Sequence, residues 1–305
     1  MTSLRSYLFR AIIKATSPRV SSNTSIAELR AKMRAGSGKS FLPRGGTVSP
    51  IKLDRVSAEW IYPPNVSPQT IILYLHGGGW TLGWTNNGRR MLAYICQAAQ
   101  CRALAVNYRL APEHPFPAAL SDCFSAYCWL LSNGISPQKI VIAGDSAGGN
   151  LALSTLLALR DAGEPMPAAA ICISAITDLE CTGESFNTKK DPSLTTSFIK
   201  TMIHHYIGGQ NPRLPLVSPH YGNLGGFPPL LIQVGEDEIL LSDAERLANN
   251  ARTAGVEVKL AIWPKMWHVW HTFVPILPEA KQAVDEIGAF IQEHLENGRI
   301  HNEHS

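Results

Sequence analysis

The sequence lacks several features that would each indicate a particular class of protein. No stretch approaches the roughly 18 uninterrupted apolar residues that a membrane span requires, so no membrane span is predicted. Among 305 residues, 27 basic and 24 acidic side chains give a formal charge of +3 without a long block of one sign. No nucleic-acid partner is therefore predicted. Neither a repeat nor a low-complexity tract occurs, and 45% hydrophobic content is enough for a large core.

The cysteines also lack the spacing of a metal site. There is no Cys-x-x-Cys pair and no Cys/His pattern suited to zinc, so no metal is predicted. We expect buried, reduced thiols, because a domain of this size does not need disulfides, and a cytoplasmic location. The six cysteines lie at positions 96, 101, 123, 128, 172 and 181.

The N-terminal segment has no acidic residue before Glu28. Its basic residues superficially resemble those of a transit peptide, but Arg10 interrupts any signal-peptide core, and the apolar residues fit one stripe of a helix. A second helical pattern covers 26–35. We interpret residues 1–45 as a helical lid outside the main sheet and 46–305 as the main domain. The stripe consists of Leu4, Leu8, Ala11 and Ile12.

From Val48 onward, extended segments alternate with helical ones. This alternation predicts an α/β fold with a mostly parallel central sheet and helices on both faces. The pattern lapses over 176–226, which is a second candidate for a lid and pocket segment. Extended segments are predicted at 51–62, 70–75, 103–107, 139–143, 168–174, 229–234 and 256–262. Helices are predicted at 88–100, 117–133, 150–162, 244–254 and 279–295.

A Gly-x-Ser-x-Gly pattern centres on Ser146, between the apolar strand 139–143 and a helix beginning near Asn150. This context is typical of a nucleophile elbow, where glycines allow a sharp turn and the helix N-terminus favours developing negative charge. The alternative is an ordinary strand-to-helix turn or a phosphate site. The missing Gly-Lys-Ser/Thr ending argues against a P-loop.

Three glycines follow His76 directly after the buried strand 70–75. Such a run is costly unless the backbone must approach something closely. The amides of these glycines, with that of Ala147, would form an oxyanion hole. The alternative is a flexible loop.

A general base should follow the nucleophile in chain order in such a fold. His268 lies in a loop just after the strand ending at Ile262, and His271 is its rival three positions later. The acidic partner should follow the strand 229–234, where Asp243 could instead cap a helix. Four acids compete: Glu236, Asp237, Glu238 and Asp243.

Together these motifs resemble the hormone-sensitive-lipase-like, or bacterial type IV, family of esterases over roughly residues 50–295. The residues that carry the resemblance are His-Gly-Gly-Gly at 76–79, Asn-Tyr-Arg-Leu-Ala-Pro-Glu-His-Pro-Phe-Pro-Ala at 107–118 and Gly-Asp-Ser-Ala-Gly-Gly at 144–149. The resemblance implies an α/β-hydrolase fold, an N-terminal helical lid and no cofactor. It also implies that the segment 107–118 is architectural, that its charged members pair within the fold, and that a homodimer can form.

The resemblance further implies a serine carboxylesterase acting on short-acyl or small esters, with Ser146 as nucleophile and His268 as base. It assigns the oxyanion hole to the amides of Gly78, Gly79 and Ala147. Relatives often carry the acid thirty positions before the histidine, with a leucine two positions after it. That register selects Glu238, followed by Leu240, with Asp237 as the alternative.

Two other functions share these features. A lactone hydrolase or amidase would use the same triad, and a non-catalytic small-molecule receptor of this fold would commonly lack the base. Five aromatic residues either line a substrate pocket or pack in the core. They are Trp80, Trp84, Trp267, Trp270 and Phe198.

Overall fold

Continuous apolar runs form the centre of the protein as strands buried on both faces. The structure is a computed structural model that describes residues 2–16, 25–36, 42–64 and 70–302. Its sheet has eight strands: β1 (Thr47–Leu53), β2 (Val56–Tyr62), β3 (Ile71–Leu75), β4 (Arg102–Asn107), β5 (Ile140–Asp145), β6 (Ala169–Ile173), β7 (Leu230–Gly235) and β8 (Val258–Trp263).

The strand order is β1-β2-β4-β3-β5-β6-β7-β8. The six strands from β4 to β8 in that order pair in parallel, whereas β1 with β2 and β2 with β4 are antiparallel. The extended segment predicted at 51–62 is therefore two strands, because the chain reverses at Asp54, where φ is +49°. The predicted mostly parallel sheet is confirmed.

Helices cover both faces of the sheet, as predicted. Alternate residues of β3 enter two separate cores: Ile71 and Leu73 pack with one group of helices, and Ile72 and Tyr74 with the other. The first group contains α4 (Ala118–Ser132), α5 (Ala147–Asp161) and α8 (Leu241–Thr253). The second contains α3 (Asn86–Ala99) and α9 (Pro278–Asn302). The segment 176–226 contains α6 (Ser185–Thr188) and α7 (Thr196–Ile207).

Two further helices, α1 (Leu4–Thr16) and α2 (Ile26–Gly36), precede the sheet and lie outside it. Helix α2 is fixed by Arg30, whose guanidinium donates to the carbonyls of Thr81 and Ala111 and pairs with Glu113 at 2.7 Å. Arg109 pairs with Asp122 in the same way at 2.8 Å. The charged members of the segment 107–118 thus do pair within the fold.

All six cysteines are free thiols, and every one except the half-buried Cys128 is buried. The expectation of buried thiols is confirmed for five of the six. No helix among the residues described is long and apolar enough to cross a membrane.

Candidate active site

Ser146 stands at a sharp turn between β5 and α5. Its φ of +54° and ψ of −119° are strained for a residue with a side chain, and its amide donates to the carbonyl of Ile173 at 2.8 Å. Helix α5 begins at Ala147, three residues earlier than predicted, so the N-terminus of the helix lies immediately beside the serine hydroxyl. A strand, a strained turn and a helix therefore follow one another around Ser146 in the order predicted.

The glycines of this turn are required by close packing. A methyl group on Gly148 would overlap the carbonyl of Leu75 in the neighbouring strand β3. One on Gly149 would lie 2.5 Å from the Cβ of Ala175, and one on Gly144 would overlap the backbone of the turn itself. The backbone of the turn is therefore held directly against its neighbours, which fixes the position of Ser146.

The loop after β8 brings His268 to the serine. Its Nε2 lies 2.9 Å from Oγ of Ser146, and its Nδ1 lies 3.0 Å from Oε2 of Glu238. Ser146 and Glu238 are buried, and the histidine side chain is 12% exposed. The structure thus brings three residues, the first and last of which are 122 positions apart, into one hydrogen-bonded chain.

The second carboxylate oxygen of Glu238 fixes its orientation. Oε1 accepts hydrogen bonds from the Ser174 hydroxyl and the Gly235 amide, both at 2.7 Å. The same Ser174 hydroxyl accepts a hydrogen bond from the amide of Val269 at 3.2 Å. With Oε1 occupied, Oε2 is directed at the imidazole. Sequence reasoning missed Ser174, because no local pattern shows that β6 ends beside Glu238.

The three competing acids have other partners. Asp237 forms an ion pair with Arg10 of α1, and Glu236 accepts from the amide of Lys265. The expectation that Asp243 caps a helix is wrong: α8 begins at Leu241, and the Asp243 carboxylate accepts from the amide of Thr177 at 2.7 Å.

The rival histidine, His271, is fully buried and its Nε2 lies 2.8 Å from the side-chain oxygen of Gln233. Burial lowers the pKa of His271 to about 3, so it is neutral at physiological pH. Among the described residues, the His271 ring is hydrogen-bonded to Gln233 and not to Ser146. Of the two histidines, His268 is the one in contact with the serine.

A further acid, Asp191, lies beside His268 and was missed by sequence reasoning. Its Oδ2 accepts from the backbone amide of His268 at 2.8 Å, and its Oδ1 accepts from the amide and hydroxyl of Ser193. The sequence Asp-Pro-Ser at 191–193 is typical of a turn in which the Asp side chain accepts from the amide two residues later. The approach of Asp191 to His268, however, depends on the tertiary fold.

These carboxylates set the protonation of the imidazole. Burial lowers the pKa of His268, but the hydrogen bond and charge of Glu238, with the charges of Asp191 and Asp145, outweigh burial and raise it above its usual 6.5. The imidazolium form is therefore stabilised in place. This is the form that a general base must adopt after accepting a proton.

The glycine loop at 76–79 is anchored to the elbow. The Gly77 amide donates to the carboxylate of Asp145 at 2.9 Å, and His76 is stacked on Tyr108 with ring centroids 4.2 Å apart. Gly78 and Gly79 adopt φ values of +103° and +58°, which favour glycine. In the described part of the chain, the amides of these two glycines and of Ala147 donate no hydrogen bond.

Helix α7 packs directly on this loop. A methyl group on Gly79 would lie 2.8 Å from Cγ of Met202, and the ring of Tyr206 stacks on Trp80 at 4.3 Å. Trp80, Trp267 and Trp270 are fully buried core residues, and only Trp84 and Phe198 among the five aromatic candidates are half-buried. No group of three or more His, Cys, Asp or Glu side chains within the described ranges is arranged to hold a metal.

Known proteins share this architecture and much of the sequence. A family model of the alpha/beta hydrolase fold matches residues 72–272. Over 257 residues, 84% of this chain and 85% of the relative, the sequence is 44% identical to an acetyl-hydrolase of Streptomyces hygroscopicus. It is 39% identical over 255 residues to an esterase of Acinetobacter venetianus, covering 82% and 84% of the two chains.

A crystal structure of an esterase from the bacterial hormone-sensitive lipase family superposes with a TM-score of 0.89 at 42% identity, covering 97% of this chain and 99% of that one. The chain belongs to this family. This chain also superposes on a crystal structure of EstE5 that was soaked with p-nitrophenyl butyrate. The TM-score is 0.92 at 40% identity, covering 96% of this chain and 99% of EstE5. The resemblance stated from the sequence and the α/β-hydrolase fold are confirmed.

Proposed function

We propose that the esterase hydrolyses short-acyl carboxylic esters through a covalent acyl-enzyme, with Ser146 as nucleophile, His268 as base and Glu238 as acid. The observation that carries this proposal is the hydrogen-bonded chain from Ser146 through His268 to Glu238. Each residue donates to or accepts from the next at 2.9–3.0 Å, the geometry that transfer of the serine proton needs.

In the first step, His268 Nε2 accepts the proton of the Ser146 hydroxyl while Oγ forms a bond to the ester carbonyl carbon. The carbonyl π electrons move to oxygen, and the amides of Gly78, Gly79 and Ala147 stabilise that charge. The imidazolium then protonates the leaving alkoxide oxygen as its bond to carbon breaks. An alcohol leaves, and an acyl ester on Ser146 remains.

Water completes the cycle by the same chemistry. His268 accepts a proton from water, and the hydroxide oxygen bonds to the acyl carbon. The tetrahedral intermediate collapses, the carbon–Oγ bond breaks, and Oγ recovers its proton from the imidazolium. The products are a carboxylic acid and free enzyme.

The preference for short acyl groups is supported by how α7 covers the glycine loop. Met202 is fully buried against Gly79, and Trp80 with Tyr206 fills the space next to it. These side chains leave little room for a long acyl chain on that side of the proposed oxyanion hole. In this proposal, residues 1–45 and the segment 176–226 act together as the lid that encloses the substrate.

Chain-length profiling tests the proposed substrate class. For p-nitrophenyl esters, we expect kcat/KM to be highest at acetate to butyrate and to fall about tenfold or more at decanoate. In Met202→Ala the optimum should move to longer chains, because the truncated side chain leaves space beside Gly79.

The matched control is Met91→Ala, a methionine equally buried but located in the core against α9. Met91→Ala should lower stability without changing the acyl chain length at which kcat/KM is highest. Equal rates from acetate to decanoate, or a faster turnover of lactones than of esters, would contradict the proposed substrate class.

The acid limb of the pH profile follows from the environment of His268. Because the base must be neutral to accept a proton, kcat/KM should rise with pH through the pKa of His268, which is raised above 6.5. In Asp191→Asn one of the charges that raise this pKa is removed. The limb should therefore move to lower pH, as measured by kcat/KM from pH 4 to 9.

A purely structural role for Asp191 would lower activity without moving this limb. The control is Glu236→Gln, which removes a charge from a nearby exposed carboxylate that bonds to the Lys265 amide. Its pH profile should match the wild type. A limb that stays in place in Asp191→Asn would contradict the role given to this carboxylate.

A further inference from the structure

Helix α1 turns its apolar stripe towards solvent. Leu4, Leu8 and Ile12 are 88%, 61% and 46% exposed, and Ala11 and Ala15 on the same side are exposed as well. These positions recur at helical spacing and form one continuous strip, which we call the outer stripe. Single exposed leucines are ordinary on protein surfaces, but an aligned strip indicates contact with another apolar phase.

The opposite side of α1 packs against the main domain. Phe9 packs against Phe273 with ring centroids 5.1 Å apart, and Arg10 pairs with Asp237. Ser3, immediately before α1, donates its amide to Glu279 at 2.5 Å. The outer stripe therefore cannot be buried by a simple rotation of the helix, because these contacts would be lost.

Positive charge accompanies the outer stripe. Arg5 and Lys14 are exposed near the two ends of α1, and the helix contains no acidic residue. Arg10 is neutralised by Asp237, which leaves the two exposed cations uncompensated by an acid on their own helix. Apolar side chains flanked by lysine and arginine are typical of helices that lie in the interface of an anionic bilayer.

We propose that the outer stripe of α1 binds the esterase to the surface of a bilayer containing anionic phospholipid. Leucine and isoleucine side chains enter the boundary between headgroups and acyl chains, while Arg5 and Lys14 contact the phosphates. The helix lies in the plane of the interface, and its 13 residues need not span the membrane.

A second copy of the chain fits this surface less well. A symmetric contact between two outer stripes would place Arg5 and Lys14 of both copies near one another, and like charges in an interface repel. The stripe has three large apolar side chains, whereas a stable interface buries about 800 Å² per partner. An anionic lipid surface instead matches both the charge and the size.

The attachment also has a consequence for the active site. Arg10 contacts Asp237, the neighbour of Glu238, and Tyr7 accepts from Lys265 at 2.9 Å in the loop that leads to His268. Binding through α1 therefore places the lipid surface near the edge of the sheet where Ser146 lies.

Vesicle co-sedimentation of the full chain tests the proposal. We expect binding to vesicles of phosphatidylcholine with 30% phosphatidylglycerol, weaker binding to phosphatidylcholine alone, and a decrease with added salt. Leu8→Glu with Ile12→Glu should weaken partitioning at least about tenfold, because two apolar anchors become anions. Arg5→Gln with Lys14→Gln should weaken it for the anionic vesicles alone.

The matched control is Val48→Glu with Leu214→Glu, which adds the same charge at two exposed apolar residues outside α1. It should bind as the wild type does, and thermal unfolding of every variant should show an intact fold. Equal loss of binding in this control, or no binding by the wild type, would overturn the proposal.

Sedimentation velocity tests whether a second copy of the chain, rather than lipid, covers the outer stripe. In that case, the wild type would form a dimer without lipid, and Leu8→Glu with Ile12→Glu would be monomeric. That result would also overturn the proposal. None of these measurements depends on esterase turnover, so their failure is distinct from failure of the proposed chemistry.

Discussion

Replacing Ser146 by alanine is expected to lower kcat for p-nitrophenyl butyrate by about 10⁶-fold, because among the described residues Ser146 carries the hydroxyl that is hydrogen-bonded to Nε2 of His268. Among the described residues, the Ser146 hydroxyl is hydrogen-bonded to the side chain of His268 alone, so its loss should leave the elbow intact. Initial rates with the purified variant, together with its circular dichroism spectrum, measure the effect.

Helix α5 supplies a matched control. Ser154 is also fully buried, and its hydroxyl has no hydrogen-bond partner in the described residues. Ser154→Ala should therefore retain nearly full activity and stability. If Ser146→Ala kept more than about 1% of wild-type turnover after removal of contaminating esterases, the serine mechanism would be wrong.

Glu238→Gln is expected to lower kcat by about 10⁴-fold, for a reason specific to its hydrogen bonds. The Ser174 hydroxyl and Gly235 amide both donate to Oε1, so the single oxygen of glutamine should take that place. Its NH₂ group would then face Nδ1 of His268 and donate to it. The proton of the neutral imidazole would move to Nε2, which could no longer accept the serine proton.

Asp237→Asn is the matched control, because it removes a neighbouring charge that pairs with Arg10 rather than with His268. This pair is partly exposed, so its loss should cost about 1 kcal/mol or less of stability, and kcat should stay within a few-fold of the wild type. Thermal unfolding and initial rates compare the two variants. A collapse of turnover in Asp237→Asn alone would transfer the role of the acid to Asp237.

Sequence reasoning located the elements that follow from local pattern. The strand, glycine turn and helix around Ser146 are adjacent in the chain, and apolar runs bounded by glycine identify buried strands without tertiary information. The α/β architecture and the central strands were predicted on this basis. Boundaries were less accurate, because α5 begins at Ala147, where backbone geometry rather than side-chain pattern decides.

Other features depend on which distant segments meet. Ser174 and Asp191 approach Glu238 and His268 only because β6, β7 and β8 are neighbours in the sheet. The role of Asp243 was misread because an acid near a helix start suggests a cap, whereas its carboxylate binds the amide of Thr177. The apolar stripe of α1 was evident in the sequence, but helical spacing does not reveal which side faces water.

The Ser174 hydroxyl connects three segments of the site through its hydrogen bonds. This hydroxyl donates to Glu238 and accepts from the amide of Val269. It therefore joins the end of β6 to the loop that contains Glu238 and to the loop that contains His268. A shift of one of these segments strains its hydrogen bonds to the other two. Glu238 and His268 therefore keep their relative positions during small movements of the sheet edge. The enzyme gains this rigidity beyond the ends of three neighbouring strands, β6, β7 and β8.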